Sequence, residues 1–145
     1  MESRRITATW EQVAQHSAGH LVAVAFAGNY PPGSAGNDCA AEMVSYLRSV
    51  LAATNPAAVI FDLRRLQYTW GDAIGGLALA LRVGDAPRFR PSAIVARGPT
   101  ARSLEPLLGA QFIFGVVGTR MFSTIPEALN HLEQMLGQRV WLTER

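Results

Sequence analysis

The sequence predicts a single α/β domain, residues 1–145, built on a mixed sheet of four or five strands with helices packed on it. Three observations carry that prediction. The length of 145 residues is enough to bury one core and too short for two comfortable ones. Two strand-like segments joined by a short turn open the chain, which demands antiparallel pairing. A helix-periodic segment then leads to an unbroken apolar run, and strand, helix, strand at this spacing implies a right-handed parallel crossover.

Residues 6–15 read as the first strand, with Ile6, Ala8, Trp10 and Val13 roughly alternating. Ser17-Ala18-Gly19 supplies the turn. The second strand, residues 20–27, is continuously apolar and suits burial on both faces. The Gly- and Pro-rich stretch 28–36 is expected to be irregular. Asn37 is the expected N-cap of a helix in which Ala40, Met43, Val44, Leu47, Val50 and Leu51 form one stripe, and Asn55-Pro56 ends it. Residues 57–63 form the central strand, followed by a loop over 64–71.

Residues 72–82 are apolar nearly all round, as expected of a well-buried helix, with Asp72 as its ordinary cap. The Gly75-Gly76 pair inside it costs about 1 kcal/mol per glycine, so close packing or a functional approach must offset it. Residues 92–96 are the next strand. Over 100–108 a short helix is expected, its regular part beginning near Ser103 because of Pro106. Residues 112–122 are glycine-punctuated and suit a loop with a short edge strand. Thr124-Ile125-Pro126-Glu127 has the capping-box pattern and starts a helix that runs to Gly137. Residues 139–142 then either close as a terminal strand or run over the surface.

Composition narrows the function classes. Hydrophobic residues make up 49% and charged residues 17%, which excludes disorder, and no apolar run reaches the roughly 18 to 20 residues of a spanning helix. Met1-Glu2-Ser3-Arg4-Arg5 is followed by alternating residues instead of an apolar stretch, so no secretory leader is expected and the cytoplasm is the default location. Cys39 is the only cysteine, which leaves no disulfide, zinc cluster or CxxC pair, and suits a small half-buried helix residue. All 13 basic residues are arginine, spread from Arg4 to Arg145, and the net charge is +2, so nucleic-acid binding gains little support. No cofactor is expected: the glycines of 28–36 fit neither GxxxxGK[ST] nor a GxGxxG in register after a strand.

The order of elements over about residues 6–136 is similar to the STAS domain, the anti-sigma-factor antagonist family. The likeness is sharpest from Val59-Ile60-Phe61-Asp62-Leu63 through Tyr68-Thr69-Trp70-Gly71-Asp72 to Leu77, which resembles that family's strand ending in aspartate, small polar turn, Asp-Ser pair, glycine and apolar helix. Phe122-Ser123-Thr124-Ile125-Pro126-Glu127-Ala128-Leu129 resembles its closing aromatic, cap and Glu-Ala-Leu helix start. Aligning Asp62 and Leu77 puts Trp70 at the motif aspartate and Gly71 at the phospho-accepting serine, so no hydroxyl stands at the regulated position. Thr69 is the nearest alternative acceptor, though a plain loop threonine is the more ordinary account. The resemblance implies a non-catalytic protein-interaction module in bacterial signalling, with a regulatory kinase, sensor or anti-sigma factor as partner and a homodimer as a further option. The surface it implies comprises Arg64, Arg65, Thr69, Trp70, Gly71 and Asp72.

The competing reading is a reduced Clp-protease or crotonase-like hydrolase, with Gly75-Gly76 as oxyanion hole, Ser103 as nucleophile, His131 as base and Glu127, in preference to Glu133, orienting the imidazole. Two other constellations are weaker. His16 and His20 with Glu11 do not complete a metal site, and Asp38 and Glu42 are ordinary solvated helix carboxylates. Arg64-Arg65 with Arg82, Arg88 and Arg90 could converge on an anion at the strand C-termini, but solvated surface arginines are the ordinary account.

Overall fold

The computed structural model describes residues 6–84 and 88–143; Met1 to Arg5, on which the expectation of no leader rests, lie outside them. Strand β1 (Ile6–His16) pairs antiparallel with β2 (Gly19–Asn29). A 3-10 turn (Gly33–Gly36) leads into helix α1 (Asn37–Thr54), which returns the chain to β3 (Ala58–Gln67), parallel to β2. A second 3-10 turn (Ala73–Gly75) runs into the one-turn helix α2 (Gly76–Leu79), followed by β4 (Ser92–Val95). Helix α3 (Gly98–Leu104), a 3-10 turn (Glu105–Leu108), helix α4 (Ile113–Val116), β5 (Arg120–Phe122) and helix α5 (Ile125–Thr143) complete it. The five strands lie in the order β1-β2-β3-β4-β5, parallel from β2 onward, so the mixed sheet takes the upper of the two expected strand counts.

Alternation along each strand divides the core into two layers. Val22, Val24 and Phe26 of β2 and Val59, Phe61 and Leu63 of β3 face the layer of α1 to α4. Leu21 and Ala23 of β2, Ala58 and Ile60 of β3 and Ala93 and Val95 of β4 face α5, which presents Ala128, Leu132 and Leu136 at a spacing of four. Burying a leucine such as Leu132 stabilises the fold by roughly 1.5–3 kcal/mol. The buried hydroxyls of Ser92 and Thr119 satisfy each other at 2.8 Å.

Several boundaries differ from the sequence expectation, each for a local reason. The strand at 57–63 continues to Gln67, because β2 itself extends to Asn29 and offers ladder partners for Arg65, Leu66 and Gln67. The expected loop 64–71 therefore shrinks to its last four residues, and the irregular stretch 28–36 to its middle. Gly36, not Asn37, caps α1, and the cap carries no side-chain hydrogen bond. The expected helix 72–82 is one 3-10 turn and one α-turn, and the Asp72 side chain makes no cap bond. Its glycines sit at the junction of those turns, where a Cβ on Gly75 would stand 2.9 Å from Ile113 and one on Gly76 3.2 Å from Val44. Close packing is thus the reason for Gly75-Gly76.

Pro99 in the first turn starts α3 early, so regular helix precedes Pro106 instead of beginning at Ser103. Residues 112–122 hold the short helix α4 as well as the expected edge strand. Residues 139–142 form no terminal strand: α5 passes through Gly137 and continues to Thr143.

Register supplies one further feature. Ala25 pairs with Asp62 and Ala27 with Arg65, so β3 carries one extra residue between those pairs. Such a bulge reverses the parity of the strand. Leu63 and Leu66 consequently both face the α1 to α4 layer, and Arg64 and Arg65, adjacent in sequence, are both exposed.

Candidate functional site

The turn after β3 is held at four points. Thr100 at the start of α3 donates its hydroxyl to the Leu66 carbonyl at 2.7 Å and accepts the Tyr68 amide at 3.3 Å. The Tyr68 hydroxyl donates to the Gly71 carbonyl, and the Gly33 amide donates to the Trp70 carbonyl at 3.1 Å. Tyr68 is buried edge-on against Tyr30, with ring centroids 5.2 Å apart. Burial, followed by neighbouring Tyr30 and Asp72, pushes the Tyr68 phenol up to about 12. It stays protonated at any physiological pH and keeps its donor role.

Trp70 stands on this anchored base with 63% of its surface exposed. Its indole lies across Gly33, where a Cβ would come within 2.6 Å of the ring. Gly71 adopts φ +128°, a conformation that side-chain-bearing residues rarely take, and its own Cβ position lies 3.3 Å from the Gly33 carbonyl oxygen. Two glycines therefore pack backbone to backbone beneath an exposed indole. Beside them opens a cavity of about 540 Å³, whose apolar wall is Pro106, Leu107 and Phe112 and whose polar rim includes Asp72 and Ser103. Thr69 and Asp72 are both exposed.

Of the six residues expected to form one surface, the structure brings Thr69, Trp70, Gly71 and Asp72 together around this cavity. Arg64 and Arg65 lie elsewhere, lining a second cavity of about 500 Å³ on the sheet face that α5 covers only in part. The continuous surface from residue 64 to 72 is corrected to two separate ones, because β3 continues as strand through both arginines. Nor do Arg82, Arg88 and Arg90 join them. Arg82 bridges to Phe89, and Arg90 donates to the Pro56 carbonyl at 3.0 Å and to Asn55 at 2.8 Å, at the opposite end of β3. Arg97, which sequence reasoning passed over, lines the second cavity instead.

The hydrolase constellation is dispersed. Ser103 belongs to the α1 to α4 layer and His131 to α5, so the sheet stands between them. His131 packs against Phe122 with its Nε2 buried and unpartnered among the described residues. Burial, then Arg120, lowers its pKa. The Gly75 amide is already committed to the Asp72 carbonyl at 3.0 Å, and that of Gly76 to Ala73 and Ile74. His16 accepts the Ala18 amide and His20 meets Gln15, both local to the hairpin turn. Among the described residues no group of three metal-ligating side chains exists, and no helix is long and apolar enough to cross a membrane.

Gly33, Tyr30 and Thr100 were the site residues that sequence reasoning missed. Pro31-Pro32 before Gly33 signalled a turn, but nothing local signalled that this turn would lie under Trp70.

The chain matches no protein-family model, and no curated protein matches it in sequence. Among solved structures it is similar to the crystal structure of an anti-sigma factor antagonist from Mycobacterium paratuberculosis, with a TM-score of 0.59 and 21% identity over 88% of this chain and 93% of that one. The fold is therefore STAS-like, a five-stranded mixed sheet with helices on both faces.

Proposed function

We propose that the chain is a non-catalytic protein-interaction module of bacterial signalling, acting in the cytoplasm through the surface at residues 69–72. Its partner on this reading is a regulatory kinase, a sensor or an anti-sigma factor. The observation that carries the proposal is Trp70: a large aromatic, 63% exposed, mounted on a hydrogen-bonded turn at the mouth of an apolar-walled cavity. A preorganised indole loses little freedom on binding and supplies the kind of anchor that dominates interface energetics. Exposed Leu79 and Val116 extend the apolar character of the same helical layer.

The STAS-like fold of the anti-sigma factor antagonist supports the class of partner, and the departure at Gly71 shapes the regulation. With no hydroxyl at that position, the module is constitutively competent to bind, or else exposed Thr69 accepts the phosphate. Trp70→Ala should weaken capture of a candidate anti-sigma kinase by about 30-fold or more, as expected of an anchor worth 2 kcal/mol, while leaving Tm within a few degrees. Unchanged capture by that variant, or association of the chain only with itself in sedimentation, would overturn the reading. Incubation with the kinase and ATP followed by intact-mass analysis separates the two modes of regulation. No added mass supports constitutive binding, and mass mapped to Thr69 supports the substitute acceptor.

A further inference from the structure

The second cavity lies on the other face of the sheet from the Trp70 layer. Here α5 covers the N-terminal halves of β2 and β3 and leaves their C-terminal halves open. Cross-strand register explains the trough that results. Thr7 pairs with Ala27 and Ala27 with Arg65; one row further, Thr9 pairs with Ala25 and Ala25 with Asp62. β2, between β1 and β3, thus contributes methyl groups, while hydroxyls rise on one side and charged side chains on the other. The bulge in β3 adds Arg64 to Arg65 on this side, and Arg97, two residues beyond Val95 at the end of β4, closes it.

The charges are unequally partnered. Asp62 takes both Nε and a terminal nitrogen of Arg64 at 2.8 Å, and the Arg64 amide at 3.2 Å. Burial raises the Asp62 pKa, but the Arg64 hydrogen bonds and charge, with Arg65 behind them, outweigh it and hold the carboxyl below its usual range. Arg64 is therefore neutralised within the fold. Arg65 and Arg97 make no ion pair among the described residues, and the remaining lining carboxylate is Glu11 on the edge strand.

We propose that this trough binds the dianion of a phosphate monoester. Two guanidinium groups without a carboxylate partner, one on β3 and one just past the end of β4, facing threonine hydroxyls, match a tetrahedral dianion with several acceptor oxygens better than they match one planar carboxylate. The trough lies over the carboxyl-terminal halves of β2 and β3, toward the strand ends where α/β sheets ordinarily hold ligands. A volume of about 500 Å³ admits a small organic group besides the phosphate. The monoester is either a free metabolite or a phosphorylated side chain, and the probes distinguish these sources.

The test follows the arginine Nε signals of the full chain by nitrogen-15 NMR. Titrants are AMP, a phosphoserine peptide, adenosine and the unphosphorylated peptide, all at constant ionic strength. A phosphate-bearing probe should shift the Arg65 and Arg97 signals saturably, with a Kd of about 1 mM or tighter, and its phosphate-free counterpart should not. The double variant Arg65→Gln, Arg97→Gln, both at exposed positions, should retain the wild-type Tm and weaken binding at least about tenfold. Tighter binding of AMP assigns a free metabolite; tighter binding of the phosphopeptide assigns a modified side chain. Trp70→Ala should leave these titrations unchanged, so loss of the partner surface and loss of the trough are read separately. Absence of saturable shifts, equal response to adenosine, or full affinity in the double variant would overturn the proposal.

Discussion

Gly71→Ser tests whether the backbone at the turn accepts a side chain or excludes one. At φ +128° a residue with a Cβ is strained, at a cost of about 1–3 kcal/mol. The added Cβ also meets the Gly33 carbonyl oxygen at 3.3 Å and its amide nitrogen at 3.4 Å, and both belong to backbone that cannot rotate away. Against this, replacing glycine restricts the unfolded chain and contributes about 0.4–1 kcal/mol in favour of the variant. The balance is a loss of about 1–2 kcal/mol, or roughly 3–8 °C in Tm for a domain of this size.

Thermal melts followed by circular dichroism would measure it, with Gly71→Ala alongside. Alanine and serine should lose about the same, because both costs arise at Cβ and not at the hydroxyl. Trp70 should also report, since its carbonyl is tied to the Gly33 amide and its ring rests on Gly33. A serine variant that melts within about 1 °C of the wild type with unchanged tryptophan emission would refute the reasoning. It would mean that the turn accepts a side chain at position 71 without structural consequence.

Further outcomes follow from the same contacts. Tyr68 titrates at about 12 in the fold against about 10 in an unfolded chain, so stability is fully present below pH 10 and falls as pH rises from there through 12; chemical denaturation across that interval, with tyrosinate absorbance, should show both. Asp62 runs the other way: its depressed pKa contributes stability above about pH 4 that is lost as pH falls through the folded value, and Asp62→Asn should flatten that acid limb in urea melts. Phe114→Ala removes a buried ring packed edge-on to Phe61 at 6.4 Å and should lower stability by about 3–5 kcal/mol in the same assay. Ser103→Ala should change neither Tm by more than about 2 °C nor the baseline rate on p-nitrophenyl esters, since the sheet separates Ser103 from His131. A serine-dependent rate would revive the hydrolase reading.

Strand and helix periodicity were legible in the sequence because burial imposes them locally: the run 57–63 could hardly be anything but a central strand, and the stripe from Ala40 to Leu51 anything but a sheet-facing helix. The exposed character expected of Trp70 is likewise found. What the local pattern did not contain was everything that depends on register and on contacts distant in sequence. One extra residue in β3, visible only once Ala25 and Ala27 are paired with Asp62 and Arg65, extends the strand and turns two adjacent arginines onto the same side. Thr100 reaches 34 residues back to anchor Leu66, and Gly33 slides beneath an indole 37 positions later in the chain. Periodicity reports which face of an element is buried, whereas the site depends on which elements meet there. Helix α2 shows the same limit: its apolar residues promised three turns, but wedging between Val44 and Ile113 left room for fewer. The sequence by itself determined the layers; pairing and packing decided that they carry two separate candidate surfaces, because a side chain acquires its neighbours only when the strands take register.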